Sequence, residues 1–240
     1  MKKLLWKTLC ISLAVVLLTG NVCLAALTKT ETTQSLEWVE LAAAEDATGI
    51  KETGTIDVSD CYSAVLHIDC CLSSTTAHEG TEIIVQIASE AGVDDAWTTL
   101  TRFIGPIGTA SKADFGDSEA AAQTVLSVTN PDTANLNHNG KFIFLEDTGA
   151  VAGCEIAYQI ADSGDAGDTI TVIDGITSAK DTDDDVYTVD GSHESAVGTY
   201  AVEIPMSASQ ARVIFNNWYD DDGTASTVHV RVRVTKVTGL

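Results

Sequence analysis

The chain is predicted to be all-β, an eight-stranded jelly-roll-like sandwich with a small inserted β-barrel-like domain. Three observations predict it. Apolar and polar residues alternate with period two along many segments. Turn formers separate those segments, among them Glu79-Gly80, Ala91-Gly92, Gly105-Pro106 and Asp222-Gly223. Helical periodicity is scarce, confined to short alanine-rich pieces at Ala42–Asp46 and Glu119–Gln123.

The elements follow in order. Lys2, Lys3 and Lys7 precede or enter an apolar run from Leu4 to Leu18, and the small residues Cys23, Ala25 and Ala26 come after it. That order is a secretory signal peptide over residues 1–25, cleaved after Ala25 or Ala26. The run is short of the ~20 apolar residues a spanning helix needs. The expected location is therefore secreted or cell surface, without membrane insertion after cleavage. Strands are predicted at Leu36–Leu41, Thr55–Val58, Tyr62–Leu72, Glu82–Ala88 and Trp97–Ile104. From Thr124 to Thr188 shorter strands follow at Thr124–Val128, Lys141–Glu146, Glu155–Ile160 and Thr169–Ile173, with joints rich in Asp, Gly, Asn and Thr. The chain closes with Thr199–Met206, Arg212–Trp218 and Ser226–Val237. In the last, Val228, Val230, Val232 and Val234 take one face, and His229, Arg231, Arg233 and Thr235 take the other. Three closing strands alone would be an unstable open sheet. They are expected to pair backwards, so that residues 26–115 plus 191–240 form a discontinuous sandwich and 116–190 an insert. Two consecutive domains are the alternative.

Charge narrows the function. The sequence has 35 acidic and 13 basic residues, a net charge of −22. Loss of Lys2, Lys3 and Lys7 leaves ten basic residues and −25. Such a chain repels nucleic acid and anionic membrane surfaces and favours cations. Cleavage leaves Cys61, Cys70, Cys71 and Cys154. Export permits disulfides, and Cys61 with Cys70 or Cys71 is the economical pairing.

No H-E-x-x-H, G-x-S-x-G or phosphate-loop pattern occurs, and no enzyme is expected. Calcium is the one cofactor suggested. It takes oxygen ligands from Asp-rich loops, here Asp181, Asp183 and Asp185 in one run and Asp220 and Asp222 in another. Asn217, Trp218 and Tyr219 beside the second run form the cluster that would suit a glycan. Arg231 and Arg233 concentrate positive charge on the last strand. They pair within the molecule or meet an acidic loop of a neighbouring copy.

The middle segments L-S-V-T (Leu126 to Thr129), K-F-I-F-L-E-D-T (Lys141 to Thr148), C-E-I-A-Y-Q-I (Cys154 to Ile160) and D-T-I-T-V-I-D-G-I-T (Asp168 to Thr177) resemble small β-barrel modules of tailed-phage and phage-like structural proteins. The outer segments S-A-V-L-H-I-D (Ser63 to Asp69), W-T-T-L (Trp97 to Leu100) and V-R-V-R-V-T-K (Val230 to Lys236) resemble the sandwich that accompanies such modules. The signal peptide departs from that pattern, because virion proteins assemble in the cytoplasm. The resemblance with this departure implies a cell-surface or matrix role on a similar fold. The expected function is a secreted, non-catalytic structural protein that assembles with copies of itself into a layer, sheath, filament or matrix. The alternative is an extracellular adhesin or carbohydrate-binding module that uses calcium.

Overall fold

The computed structural model describes residues 28–43, 49–90, 97–129, 140–162, 169–189, 196–217 and 226–238. The segments 1–27, which hold the expected signal peptide, and 218–225, which hold Trp218, Tyr219, Asp220 and Asp222, lie outside the described residues.

Every long element is a strand. In chain order they are β1 (Thr28–Ala42), β2 (Ile50–Glu52), β3 (Ile56–Asp57), β4 (Cys61–Leu72), β5 (Glu82–Ala88), β6 (Thr98–Ile104), β7 (Ala110–Phe115), β8 (Val125–Thr129), β9 (Lys141–Glu146), β10 (Glu155–Asp162), β11 (Thr169–Val172), β12 (Asp185–Val189), β13 (Val197–Ile204), β14 (Gln210–Asn216) and β15 (Thr227–Thr238). A short 3₁₀ turn lies at Val151–Gly153.

The strands form two sheets and a closed barrel. One sheet runs β1-β15-β4-β13, and the other runs β2-β14-β5-β6 with β3 also on β14. Gly54 interrupts the strand between β2 and β3. Across the gap the Thr53 amide donates to the Val213 carbonyl and its hydroxyl accepts from the Val213 amide. With β2 and β3 taken as one strand, the eight outer strands pair first with last (β1 with β15), second with seventh, third with sixth (β4 with β13) and fourth with fifth (β5 with β6), all antiparallel. The closing strand β15 lies between β1 and β4. The two sheets share one core. Leu66, Ile68, Cys70, Val228, Val230 and Val232 from the first sheet meet Ile83, Val85, Val213 and Phe215 from the second, each 0 % exposed. Fully burying such a side chain contributes about 1.5–3 kcal/mol. At the far edges, Tyr200 of β13 donates its hydroxyl to the Ile104 carbonyl of β6, and its ring lies 4.3 Å from Phe103.

Between β6 and β13 the chain builds the barrel, β10-β11-β8-β7-β12-β9. It has its own core of Ala113, Phe115, Leu126, Val128, Ile143, Leu145, Ile170, Val172, Ile176 and Val186. The expected boundary at 115/116 is corrected at its first strand. β7 belongs to the barrel, where it pairs with β8 and β12. The expected short helix at Glu119–Gln123 is instead a turn. Ala122 has φ +72°, and Glu119 bridges to Lys180.

The expected Cys61–Cys70 disulfide is also corrected. All four described cysteines are free thiols. Cys61 and Cys70 sit at opposite ends of one continuous strand, β4. Nine residues at ~3.3 Å each separate them by roughly 30 Å, whereas a disulfide needs Cα atoms within ~7 Å. Cys71 is one step farther along the same strand and equally out of reach. Burial pushes the Cys70 and Cys154 thiols up to about 12 and raises Cys71 well above its ordinary range.

Candidate functional site at the junction of barrel and double sheet

Alternation explains where the barrel sits. In β4 the inward positions Leu66, Ile68, Cys70 and Leu72 fill the sandwich. From Ile68 onward every residue of β4 is buried, including the outward Asp69 and Cys71. A second layer therefore covers the outer face of the first sheet at that end, and that layer is the barrel. Phe144 of β9, 0 % exposed, lies 5.4 Å from the Trp38 ring of β1 and 5.1 Å from the His229 ring of β15. Tyr187 and Cys154 join the same cluster.

The junction concentrates ionisable groups. Asp185 of β12 stands directly across from Asp114 of β7 on one side and Glu146 of β9 on the other. Three carboxyl groups thus line up over three adjacent strands, and like charges directly opposite destabilise a sheet. Lys112 offsets part of this, with its ammonium 2.7 Å from Asp185 and 3.7 Å from Asp114. Burial pulls that ammonium down, but the contacts with Asp185 and Asp114 outweigh it and hold the group above its ordinary value. Burial raises Asp185 despite Lys112, and Asp114 adds to the rise. Burial, then the charge of Asp185, pushes Glu146 up to about 7. Burial, then the charges of Glu146 and Asp185, raises the Tyr187 phenol. Burial lowers His229 to about 4, so its ring is neutral at pH 7.

Glu146, His229 and Ser73 form a line. Glu146 Oε1 lies 3.4 Å from His229 Nε2, and His229 Nδ1 lies 2.9 Å from Ser73 Oγ, which donates to the Thr227 carbonyl at 3.2 Å. One tautomer satisfies every atom. A protonated Glu146 donates to Nε2, and Nδ1–H donates to Ser73. The residue types are those of a hydrolytic triad. However, His229 is 1 % and Ser73 7 % exposed, so the line is an internal strut that ties the barrel to the sheet.

The residues named from sequence fall as follows. Arg231 donates through Nε and a terminal nitrogen to Asp69 Oδ2 at 2.9 and 2.7 Å and lies 4.3 Å over the Trp38 ring. Arg233 reaches the same oxygen at 3.2 Å, with its side chain 48 % exposed. Of the two pairings foreseen for these arginines, the contact within the molecule is present. Asn217 is 0 % exposed. Its amide donates to the carbonyls of Leu41 and Ser226 at 2.9 and 3.1 Å, and its oxygen accepts from Thr81. It anchors loops and does not face a glycan. Asp181 and Asp183 are exposed in a tight turn. The Asp183 amide donates to Asp181 Oδ1, and the Asp181 amide to Asp184 Oδ2. Asp185 leaves that turn and pairs with Lys112. Among the described residues no three His, Cys, Asp or Glu side chains group as a metal site.

Sequence reasoning passed over Asp69, Glu146, Ser73 and Lys180. Lys180, its side chain 0 % exposed, pairs with Glu155 at 3.1 Å and bonds the Gly153 carbonyl. It lies on an open cleft of about 440 Å³ with Glu119, Asp147, Asp181 and Asp184. The one signal for Glu146 was a carboxylate closing an otherwise apolar strand, K-F-I-F-L-E.

No family model matches the chain, and no curated protein sequence matches it. Among solved structures, the infectious bursal disease virus VP2 subviral particle aligns with a TM-score of 0.22 and 7 % identity. The alignment covers 90 % of this chain and 43 % of that one, so this chain spans less than half the length of the protein it matches. A score this low carries nothing about function.

Proposed function

We propose that this chain is a secreted, non-catalytic structural protein that assembles with copies of itself into an extracellular or cell-surface structure. The observation that supports it best is the pairing of the eight outer strands, first with last through fourth with fifth. A hairpin folded over itself in this way is a jelly roll, an architecture of shells and lectins, here with a closed barrel mounted on its outer face. The polar side chains with chemical potential of their own are engaged in holding this scaffold together. Arg231 is engaged with Asp69, Asn217 with two carbonyls, and His229 with Glu146 and Ser73. The glycan-binding alternative loses Asn217 to the interior and rests on Trp218 and Tyr219.

The test is size-exclusion chromatography with light scattering and electron microscopy of the protein recovered from the culture medium, with and without millimolar calcium. Ordered oligomers or particles are expected. A monodisperse monomer at high concentration under every condition refutes the reading.

A further inference from the structure

We infer that β13 is the edge through which one copy of this chain meets a second, by antiparallel pairing with the second copy's β13 about a twofold axis at Ala201. This rests on the self-assembly reading and names its surface.

An open sheet leaves a row of amides and carbonyls without strand partners at each edge, and proteins guard such edges with bulges, short strands, charges or prolines. The barrel is closed, so the edges are β1 and β13 of one sheet, and β6 and the pair β2 and β3 of the other. Three of these are guarded. The register of β1 is broken in three places. β2 and β3 are three and two residues long. β6 has an irregular register against β5 and carries Arg102. β13, in contrast, keeps eight consecutive pairs with β4 from Val197 to Ile204 and contains no proline and no basic residue.

Register fixes which backbone groups face outward. The Leu72 amide donates to the Ala196 carbonyl at 2.8 Å, one step beyond the Val197–Cys71 pair. Bonded and non-bonded pairs alternate along an antiparallel ladder. Gly198, Tyr200, Val202 and Ile204 therefore bond β4, and Thr199, Ala201 and Glu203 turn their amides and carbonyls away from it. All three of the latter are exposed, so this stretch of the edge is open to approach.

Three features select the second copy's own β13. With the axis at Ala201, Thr199 of each copy meets Glu203 of the other and Ala201 meets Ala201, so all three outward residues pair on both copies. Charge favours the same register. Glu203 is the one charged residue of β13, and it faces a threonine rather than its own copy, where like charges would oppose pairing. The inner face agrees. Tyr200 and Val202 are half-buried against the sandwich core, and Tyr200 of each copy comes to lie across from Val202 of the other. That is an aromatic beside a β-branched residue at the closely spaced, non-bonded position. The pairing joins the two four-stranded sheets into one.

The experiment measures association of the full exported chain by sedimentation velocity over a concentration series, with the melting temperature recorded for each variant. Ala201→Pro deletes an outward amide that β4 does not use. It should weaken association by at least about tenfold at an unchanged melting temperature, since an edge strand tolerates proline. Thr199→Glu sets carboxylates across from each other twice per dimer and should weaken association by about fivefold, and Thr199→Lys should strengthen it by about fivefold. The two Thr199 variants change only an exposed side chain and decide the matter if Ala201→Pro melts early. Thr199 variants that both associate as wild type does overturn the pairing and leave the self-assembly reading standing. If Ala201→Pro alone then weakens association, the edge takes a strand other than β13. A wild-type chain monomeric at about 1 mM overturns both readings.

Discussion

Replacing Glu146 with Gln should make the protein more stable at pH 8 and leave it unchanged at pH 4. In the folded chain the Glu146 carboxyl titrates near 7, raised from 4.5 by burial and then by the Asp185 charge. A raised carboxyl favours the fold while it is protonated. Its contribution is complete below 4.5 and is lost as pH rises through 7. The full shift corresponds to at most ~3.4 kcal/mol at about 1.36 kcal/mol per unit. The side chain keeps 12 % of its surface in water and shares its site with Asp185, so solvent screening reduces the expected gain to about 1–2 kcal/mol. The Gln amide is uncharged and can donate to His229 Nε2 as the protonated acid does. His229 provides the opposite arm. Burial lowers it to about 4, so its contribution is complete above 6.5 and is lost as pH falls through 4. Thermal melting followed by circular dichroism from pH 4 to 9 should show wild-type stability falling toward both ends. E146Q should keep only the acid arm, with Tm up by about 3–6 °C at pH 8. If E146Q is no more stable than wild type at pH 8, the carboxyl ladder is not strained as described.

Three further outcomes follow from named contacts. Arg231→Gln leaves Asp69, 3 % exposed, with the weaker Arg233 contact alone and should cost about 1–3 kcal/mol in urea unfolding. Arg233→Gln, at a half-exposed position, should cost under about 1 kcal/mol. Asn217→Ala leaves the Leu41 and Ser226 carbonyls without their shared donor and should cost about 2 kcal/mol in the same measurement. A maleimide added to the native protein should label Cys61 first, because Cys70, Cys71 and Cys154 are buried. Peptide mapping that finds a Cys61–Cys70 bridge would contradict the geometry of β4.

The period-two pattern made most strands legible because the two cores demand it. Each alternating segment named from sequence has a strand at its place, and Val228, Val230, Val232 and Val234 of β15 are 0–1 % exposed. Three strands were not legible. β2 has three residues. β7, A-S-K-A-D-F, buries alanines, which carry little strand signal. β12 begins inside an acidic run that reads as a solvated loop. The first half of β1, T-K-T-E-T-T-Q, has no apolar side to show. It is a strand because the end of β15 pairs with it, over a register broken by three irregularities. The site was less legible still. Asp69 and Glu146 become central only when the barrel covers one end of the sheet, and no local pattern encodes which end.

That cover explains why the junction tolerates charge. A sheet with one wet face can hold Asp69, Arg231 and His229 on its outer side at little cost. Once the barrel settles over them, each must find a partner or lose its charge. Asp69 collects two arginines. His229 gives up its proton and bonds Ser73. Glu146 lies between these cases, with a neutral ring on one side and a second carboxyl on the other. The apolar contacts of Phe144 with Trp38 and His229 hold the barrel in place, and the protonation of Glu146 adjusts how firmly. With Glu146 protonated and His229 neutral the carboxyl can donate to Nε2 across the junction, so the melting series is expected to show wild-type stability highest between the two titrations.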